Sequence, residues 1–557
     1  MPQNTTFFSR GETPTFVNYV IAHNKARRPA EKHPGPGKKE AEMADRFMKG
    51  TLILTAAGLM VKILGSVNRI LLSRLLGGEG IGLYQIAYPL YLLLVALSSA
   101  GIPAAMSILI SRRAAAGDRQ GARGILGISA GLMALAGVAF AGLAWALVPW
   151  LIDGGIVKDG RARLAMLALV PAIGLSIPAA CLRGYFQGFQ EMTPTAVSQI
   201  LEQFTRVVTM VLLAWILLPR GLDWGAAGAA FGAVPGAVVS LGSLLWFVRR
   251  QQKRWKREPA APAGAGERPS LSRTAWQLVS LALPVTCANL MVPVVSGIEM
   301  ILVPDRLLAA DFTVAASTRA LGYLSGMAMP LVNMGTIPTN SLAASVVPAV
   351  AEAKALGRRD LMGSKTRRAF RFFLLLNVPA AVGVGLLGTP ISQVLYGTVH
   401  AGPVITALAP AIFFLGLHQV STAILQGLGH TRVPMMNMLL SLLVKVGLLW
   451  VLTANPLWNI QGAAWATDAN LAMAGLGNLL WMYHSDRLSL PGKNCLRIGF
   501  SAAVMGLVLW AGAPAAARLL PGPVLRLAVE ICAGALVYGL CLLATGELKL
   551  RDLKKKK

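Results

Sequence analysis

The sequence predicts an all-α integral membrane protein with about fourteen transmembrane helices, arranged as two parallel six-helix lobes followed by two C-terminal helices. Of its 557 residues, 55% are hydrophobic and only 14% are charged, whereas a soluble domain carries roughly 25% charged residues. Long apolar runs alternate with clusters of Gly, Pro and charged residues, and each run is long enough to cross a bilayer as a helix. The two halves of the chain also resemble each other.

Dividing the apolar runs at these clusters gives the individual predicted spans. They lie at 50–76, 82–111, 124–152, 162–186, 195–219, 225–248, 274–303, 316–350, 368–396, 403–427, 434–454, 461–483, 495–516 and 524–545. The predicted organisation is an extension at 1–42, a first lobe at 43–248, a linker at 249–273, a second lobe at 274–484, two further spans within 485–547 and a basic tail at 548–557.

Three pairs of similar segments occur in the same order in the two lobes. Tyr88-Pro89 in span two matches Met329-Pro330 in span eight, YFQGFQ after span four matches ILQGLG after span ten, and GAAGAAFG in span six matches QGAAWATD in span twelve. These matches indicate a six-plus-six duplication. Because six is an even number, the two lobes have the same orientation in the membrane.

Positive charge marks one side of the predicted bundle. Arginine and lysine cluster after spans two, six and eight and at the C-terminus, whereas the intervening connections hold few cations. The positive-inside rule therefore predicts that both termini are cytoplasmic. The net charge of +28 is explained by these clusters, which meet anionic membrane lipids, and not by nucleic-acid binding.

The first 42 residues are polar and lack the apolar region of a signal peptide. We expect them to be a disordered extension without chemistry, and Met43 is the hypothesised start of the functional chain. The five cysteines show no disulfide or zinc spacing. No cofactor, metal site or catalytic group is predicted. The Gly383-x-Gly385-x-x-Gly388 match to a dinucleotide fingerprint is rejected because it lies in an apolar span.

Two cations lie inside the first span. Lys62 and Arg69 are two helical turns apart, and Ser66 shares their face. A cation at bilayer depth is costly unless it faces protein or water, so we predict that both line a wet cavity. The alternative is that the long side chains reach the membrane interface, which suits Arg69 less well than Arg74 and suits Lys62 poorly.

The second lobe contributes further charged residues to the predicted interior. Arg319 lies near the start of span eight and is predicted either to line the cavity or to act as an interface anchor. Further candidates for cavity or coupling residues lie in spans seven, eleven and twelve, namely Glu299, Lys445 and Asp468. Lys445 and Asp468 are predicted to pair as one structural alternative.

Two structural features are predicted for spans five and six. Glu202 and Arg206 are four residues apart in span five and are predicted to form a structural ion pair. Gly228, Gly232 and Gly236 form a ridge of small residues in span six, which favours close helix packing. Counting all interior candidates, cations outnumber acids, and this excess favours an anionic substrate such as a phosphate.

The first two spans resemble the opening of the stage V sporulation protein B family. The segments that carry this resemblance are KILG at 62–65, SRLLGGEGIGLYQ at 73–85 and AGIPAAMS at 100–107. This is the polysaccharide-biosynthesis branch of the multidrug/oligosaccharidyl-lipid/polysaccharide (MOP) exporter superfamily, which also contains lipid II flippases. The resemblance covers roughly residues 44–547 and implies a MATE-like fold in the bacterial cell membrane.

The resemblance also implies a function and a site. It implies a flippase that moves polyprenyl-pyrophosphate-linked saccharides, lipid II above all, between leaflets, with Lys62 and Arg319 at the family's pyrophosphate-binding positions. A second family arginine aligns with Asn68, one residue before Arg69, so the role of Arg69 is shifted. A family sodium site would use Glu299 and Asp468, but Lys445 argues against it.

Two alternative functions remain open. One is an ion-coupled exporter of small molecules from the same superfamily. The other is a membrane glycosyltransferase or polymerase, which the short outer connections and the lack of a carboxylate or histidine motif disfavour. A cell-wall polymerase or synthase is a candidate partner of a flippase. The sequence does not identify the energy source or distinguish vegetative growth from sporulation.

Overall fold

A computed structural model describes residues 37–257, 270–485, 492–520 and 522–548. Its internal contacts divide the chain into residues 1–51 and 52–557, and the candidate site lies entirely within the second of these units. We call residues 52–257 the first half and residues 270–485 the second half. Throughout the described residues, the secondary structure is helical, as predicted.

The helices of the first half follow the predicted spans one to six. They are α1 (Gly37–Ser99), α2 (Ile102–Ala115), α3 (Arg119–Asp153), α4 (Ala162–Gly188), α5 (Met192–Leu217), α6 (Leu222–Phe231) and α7 (Ala233–Arg257). Predicted spans one and two join in one long apolar segment, which turns at Gly77 with φ 67° and ψ −175°. A positive φ of this size suits glycine, which has no Cβ.

The second half and the C-terminal pair contain more interrupted helices. They are α8 (Leu271–Asn289), α9 (Met291–Leu308), α10 (Val314–Leu321), α11 (Met329–Gly335), α12 (Ile337–Ala355), α13 (Arg359–Leu386), α14 (Gly388–Tyr396), α15 (Gly402–Leu408), α16 (Pro410–Gly427), α17 (Arg432–Thr453), α18 (Asn459–Ser485), α19 (Gly492–Leu519) and α20 (Pro523–Ala544). A π-helical segment, Gly322–Ala328, joins α10 to α11.

Within the described residues, ten helical segments are long and apolar enough to cross a bilayer. One of them, Leu52–Ala115, is 64 residues long and contains two predicted spans. Predicted span seven is divided between α8 and α9, and predicted span eight is divided among α10, the π-helical segment, α11 and α12. Pro330 and Pro338 lie in the first turns of α11 and α12, where the missing N–H costs least.

Two predicted boundaries fall differently in the structure. The first helix begins at Gly37, so residues 37–42 of the predicted extension are helical, while residues 1–36 lie outside the described part. The predicted linker begins inside a helix, because α7 continues to Arg257. The central linker residues, 258–269, lie outside the described residues.

The predicted glycine ridge packs as expected. A Cβ on Gly228 would lie 2.5 Å from the carbonyl oxygen of Leu213, and a Cβ on Gly236 would lie 2.8 Å from the carbonyl oxygen of Glu202. The ridge therefore brings α6 and α7 against the backbone of α5, as small residues do between membrane helices. This contact fixes the helix that carries Arg206.

Candidate functional site

A cavity of about 570 Å³ lies between the two halves. Its first-half wall comes from α1 and α5, and its second-half wall comes from α9, the segment from α10 to α12, and α16. The charged side chains that line it, among the described residues, are Lys62, Arg69, Arg206 and Glu299. Ser66 also lines it. The predictions that Lys62 and Arg69 face a cavity, and that Ser66 and Glu299 belong to it, are therefore consistent with this geometry.

Arg69 is held against aromatic rings from the other arm of α1. Its guanidinium carbon lies 5.4 Å from the ring centroid of Tyr84 and 5.3 Å from that of Tyr88, within the range of cation–π attraction. The guanidinium also donates to Gln85 Oε1. Gln85 Nε2 in turn donates to the carbonyl oxygen of Ser325, at 2.7 Å, so this chain of contacts joins the two halves.

The Lys62 side chain is exposed in the cavity. Its backbone carbonyl accepts a hydrogen bond of 3.0 Å from Ser66 Oγ. Within the described part of the chain, no carboxylate lies within ion-pair distance of its ammonium group. Lys62 is therefore an uncompensated positive charge that is available to an anion.

Arg206 is fixed by a shared carboxylate. Glu202 accepts from Arg206 Nη2 at 3.0 Å, which confirms the predicted pair, and it also accepts from Arg183 on α4. Two guanidinium groups thus share one carboxylate, and the cluster keeps a net positive charge beside the cavity. The sequence analysis missed Arg183, although a lone arginine in an apolar span was a usable signal.

The charge of Glu299 is neutralised by Lys445. The Lys445 ammonium group, which is buried, forms an ion pair with Glu299 Oε1. The alternative prediction that Lys445 pairs with Asp468 is therefore wrong. Asp468 lies on α18 outside the cavity lining, and its Oδ1 atom is buried without a hydrogen-bond partner among the described residues.

The structure does not bring Arg319 into the cavity with Lys62 and Arg69. Its side chain is 52% exposed, and Nη2 donates to Glu79 Oε2 at 2.8 Å. The other carboxylate oxygen of Glu79 accepts from Arg161 Nη1 at 2.7 Å. We call the region formed by Glu79, residues 158–161, Asp305 and residues 318–319 the short-loop end. The role of Arg319 as a pyrophosphate ligand stays a prediction.

A buried carboxylate strengthens the same end of the bundle. Asp159 accepts from Thr318 Oγ1 and from Arg161 Nη2, at 2.7 and 2.8 Å. Burial acts to raise the pKa of Asp159, but hydrogen bonds and charge from Arg161 and Thr318 hold that pKa below its ordinary value. Asp159 therefore remains a carboxylate that links the first half to the second.

Comparison with known proteins places the chain in a family. A family model described as "Polysaccharide biosynthesis protein" matches residues 47–354, and a MatE model matches residues 317–451. The chain is 32% identical to stage V sporulation protein B of Bacillus subtilis (strain 168) over 77% of this chain and 82% of that protein. It is 26% identical to lipid II flippase MurJ of the same organism over 72% and 77% of the two chains.

A solved structure shows the same architecture. The structure of lipid II flippase MurJ in an inward closed conformation aligns with 90% of this chain and 99% of that chain, with a TM-score of 0.66 and 16% sequence identity. At this identity the likeness shows the fold alone. The family-model and sequence matches show that the chain belongs to the polysaccharide biosynthesis protein family of the MOP exporter superfamily and is a multi-pass bacterial membrane transporter, not an enzyme.

Proposed function

We propose that this protein is a flippase that moves a polyprenyl-pyrophosphate-linked saccharide, with lipid II as the first candidate, from the inner to the outer leaflet. The observation that carries the proposal is the charge of the cavity. Among the residues that the structure describes, Lys62 and Arg69 are not paired with acids, Arg206 shares one acid with Arg183, and Lys445 neutralises Glu299. The resulting excess of positive charge suits a pyrophosphate.

The two chemical parts of such a lipid need different surroundings. A charged, hydroxylated head group cannot cross hydrocarbon unaided, because burying unpaired polar groups is costly. The polyprenyl tail can stay in the lipid throughout. A polar cavity between two parallel lobes can take the head group, and rocking of the lobes then exposes that cavity to one side and then the other.

The arginine-rich connections favour an orientation with both termini in the cytoplasm. In that orientation the short-loop end faces outwards, and Glu79, Asp159 and Arg319 lie on the side to which the head group is delivered. The bridge between Glu79 and Arg319 then closes the outer side of the cavity. Arg319 becomes available to a pyrophosphate when this bridge opens.

Binding of the substrate can be tested with the full-length protein. Native mass spectrometry in nanodiscs should detect a complex with an undecaprenyl-pyrophosphate-linked disaccharide pentapeptide. Lys62→Ala removes a charged contact worth about 1.5–3 kcal/mol and should weaken the complex about 10- to 100-fold. Lys253→Ala, which removes an exposed lysine outside the cavity, is the matched control.

The same experiment separates this function from export of small molecules. Retention of the lipid by the wild type and by Lys253→Ala, with loss in Lys62→Ala, supports the flippase. Absence of any complex with the wild type, in nanodiscs where a known lipid II-binding protein retains the lipid, contradicts the proposal and favours the exporter. A melting temperature of Lys62→Ala equal to that of the wild type shows that the loss is not caused by unfolding.

A further inference from the structure

The two walls of the cavity differ in chemistry. The three cations Lys62, Arg69 and Arg206 all come from the first half, and the acid that the second half contributes is neutralised by Lys445. The second-half wall otherwise presents hydroxyl, amide and apolar groups. Over the described part of the chain, net charge is therefore concentrated on one side of the cavity, and the other side is polar without net charge.

Three carboxamide side chains on the second-half wall have free bonding capacity. Asn333 and Asn340 line the cavity and are exposed in it, and their side chains have no hydrogen-bond partner among the described residues. Gln419 also lines the cavity, and its Oε1 atom is buried without a partner in that part of the chain. A buried polar atom without a partner is costly, so a ligand that supplies a donor would relieve this cost.

The spacing of these groups suits an extended ligand. Asn333 lies near the end of α11 and Asn340 near the start of α12, on either side of the break at Thr336, and Gln419 lies on a third helix, α16. Between the two asparagines, the Thr336 hydroxyl donates to the carbonyl oxygens of Val332 and Asn333 in the preceding helical turn. Its hydroxyl donor is thus already used, whereas the carboxamides of Asn333 and Asn340 on either side of it are open to a ligand.

Carboxamides recognise a particular kind of chemistry. Each offers two N–H donors and a carbonyl acceptor, and none carries charge. This combination matches the hydroxyl and N-acyl groups of a saccharide, each of which can donate or accept. It does not match a pyrophosphate, which accepts hydrogen bonds and is bound best by cations.

We propose that the second-half wall is a saccharide subsite in which Asn333, Asn340 and Gln419 bind the hydroxyl and N-acyl groups of the sugar, while the pyrophosphate lies against the cationic first-half wall. The inference rests on the proposed function and adds to it the orientation of the head group and the residues that select it. The protein should therefore bind a lipid without the sugar less tightly, because that lipid lacks the groups that these three side chains bind.

The test compares two lipids on the full-length protein in nanodiscs. One is undecaprenyl pyrophosphate, and the other carries an N-acetylated disaccharide on the same pyrophosphate. Dissociation constants are measured for the wild type, for Asn333→Ala/Asn340→Ala/Gln419→Ala, for each single variant, for Lys62→Ala, and for Gln393→Ala. The last removes an exposed carboxamide outside the cavity and is the matched control.

The wild type should bind the saccharide lipid more tightly than the bare lipid. The triple variant should lose tenfold or more in affinity for the saccharide lipid, the sum of several neutral hydrogen bonds, and should bind the bare lipid within about twofold of the wild type. Lys62→Ala should weaken the binding of both lipids, and Gln393→Ala should weaken the binding of neither. The single variants should each show part of the loss, which guards against misfolding of the triple variant.

Two results would overturn the inference while leaving the proposed function standing. One is an unchanged affinity of the triple variant for the saccharide lipid, which would mean that the carboxamides only hydrate the cavity. The other is an equal loss for both lipids. Failure of the wild type to bind either lipid would instead overturn the proposed function, and the inference with it.

Discussion

Arg319 Nη2 lies 2.8 Å from Glu79 Oε2, and this contact joins the two halves of the bundle at the short-loop end. Glu79 also binds Arg161, so one carboxylate connects two arginines from opposite halves. An arginine that the family resemblance assigns to the substrate is thus paired with an internal acid. A substrate pyrophosphate bound at Arg319 would therefore compete with Glu79 for the same guanidinium group.

Replacing Glu79 with glutamine should favour opening of the short-loop end. Of the two ion pairs of Glu79, only the one with Arg319 joins the halves, and its loss, worth about 0.5–1 kcal/mol, shifts the ratio of open to closed molecules about two- to fivefold. Distances between spin labels at Ile156 and Val314 measure the change. Glu352→Gln, which removes an exposed ion pair with Lys365 outside the short-loop end, is the control. Identical distance distributions in Glu79→Gln and wild type would contradict the prediction.

Breaking the buried pair of Lys445 and Glu299 should destabilise the protein strongly. Lys445→Met leaves the partly buried Glu299 without a counter-charge, and such a loss costs about 3–5 kcal/mol. The double variant Lys445→Met/Glu299→Gln removes both charges and should recover most of that loss. Thermal unfolding of the purified protein reports both effects. A double variant no more stable than Lys445→Met would show that the pair is not the cause.

Adding a methyl group at Gly322 should separate the halves or destabilise them. Its Cβ would lie 1.9 Å from the carbonyl oxygen of Gly78, which is backbone and cannot move as a side chain can. We expect Gly322→Ala to cost about 1–3 kcal/mol, as overpacking does. Gly127→Ala is the matched control, because a Cβ at Gly127 meets nothing within 4 Å. Equal melting temperatures for the two variants would contradict this account.

Acidification should weaken the contact of Asp159 with Thr318 and Arg161. Because the pKa of Asp159 is lower in the folded protein than in the unfolded chain, its stabilising contribution is complete above about pH 5, and it is lost as the pH falls through the folded-state pKa. Asp159→Asn should therefore melt at a lower temperature than the wild type at pH 7. The difference between the two should shrink below about pH 4. A constant difference between pH 7 and pH 3 would exclude a role for this ionisation.

The helical architecture was predictable because bilayer thickness sets the length of each apolar run. The positions of Lys62, Arg69 and Ser66 in the cavity followed from helical spacing within one uninterrupted arm of α1. The partner of Lys445 could not be predicted from helical spacing. Spacing along a helix shows which residues share a face, but not which neighbouring helix lies opposite that face, and here α9 supplies the acid.

Arg319 shows a second limit of sequence reasoning. Arg319 and Asn333 are fourteen residues apart, nearly four α-helical turns, so an unbroken helix would place both on one face. The π-helical segment Gly322–Ala328 lies between them. A wider turn takes up about one extra residue, which rotates the two parts by roughly 100° relative to each other. Asn333 therefore lines the cavity and Arg319 does not.

The close approach of Gly322 to Gly78 also bears on how fast the short-loop end can close. Both surfaces at this point are backbone, so no side chain must find one rotamer before the halves meet. Ordering long side chains costs up to about 2 kcal/mol each, and this contact avoids that cost. At this point the two glycines let the halves re-form their contact without a search through side-chain conformations, so the cost of ordering side chains on closure falls on neighbours such as Arg319, which must find Glu79.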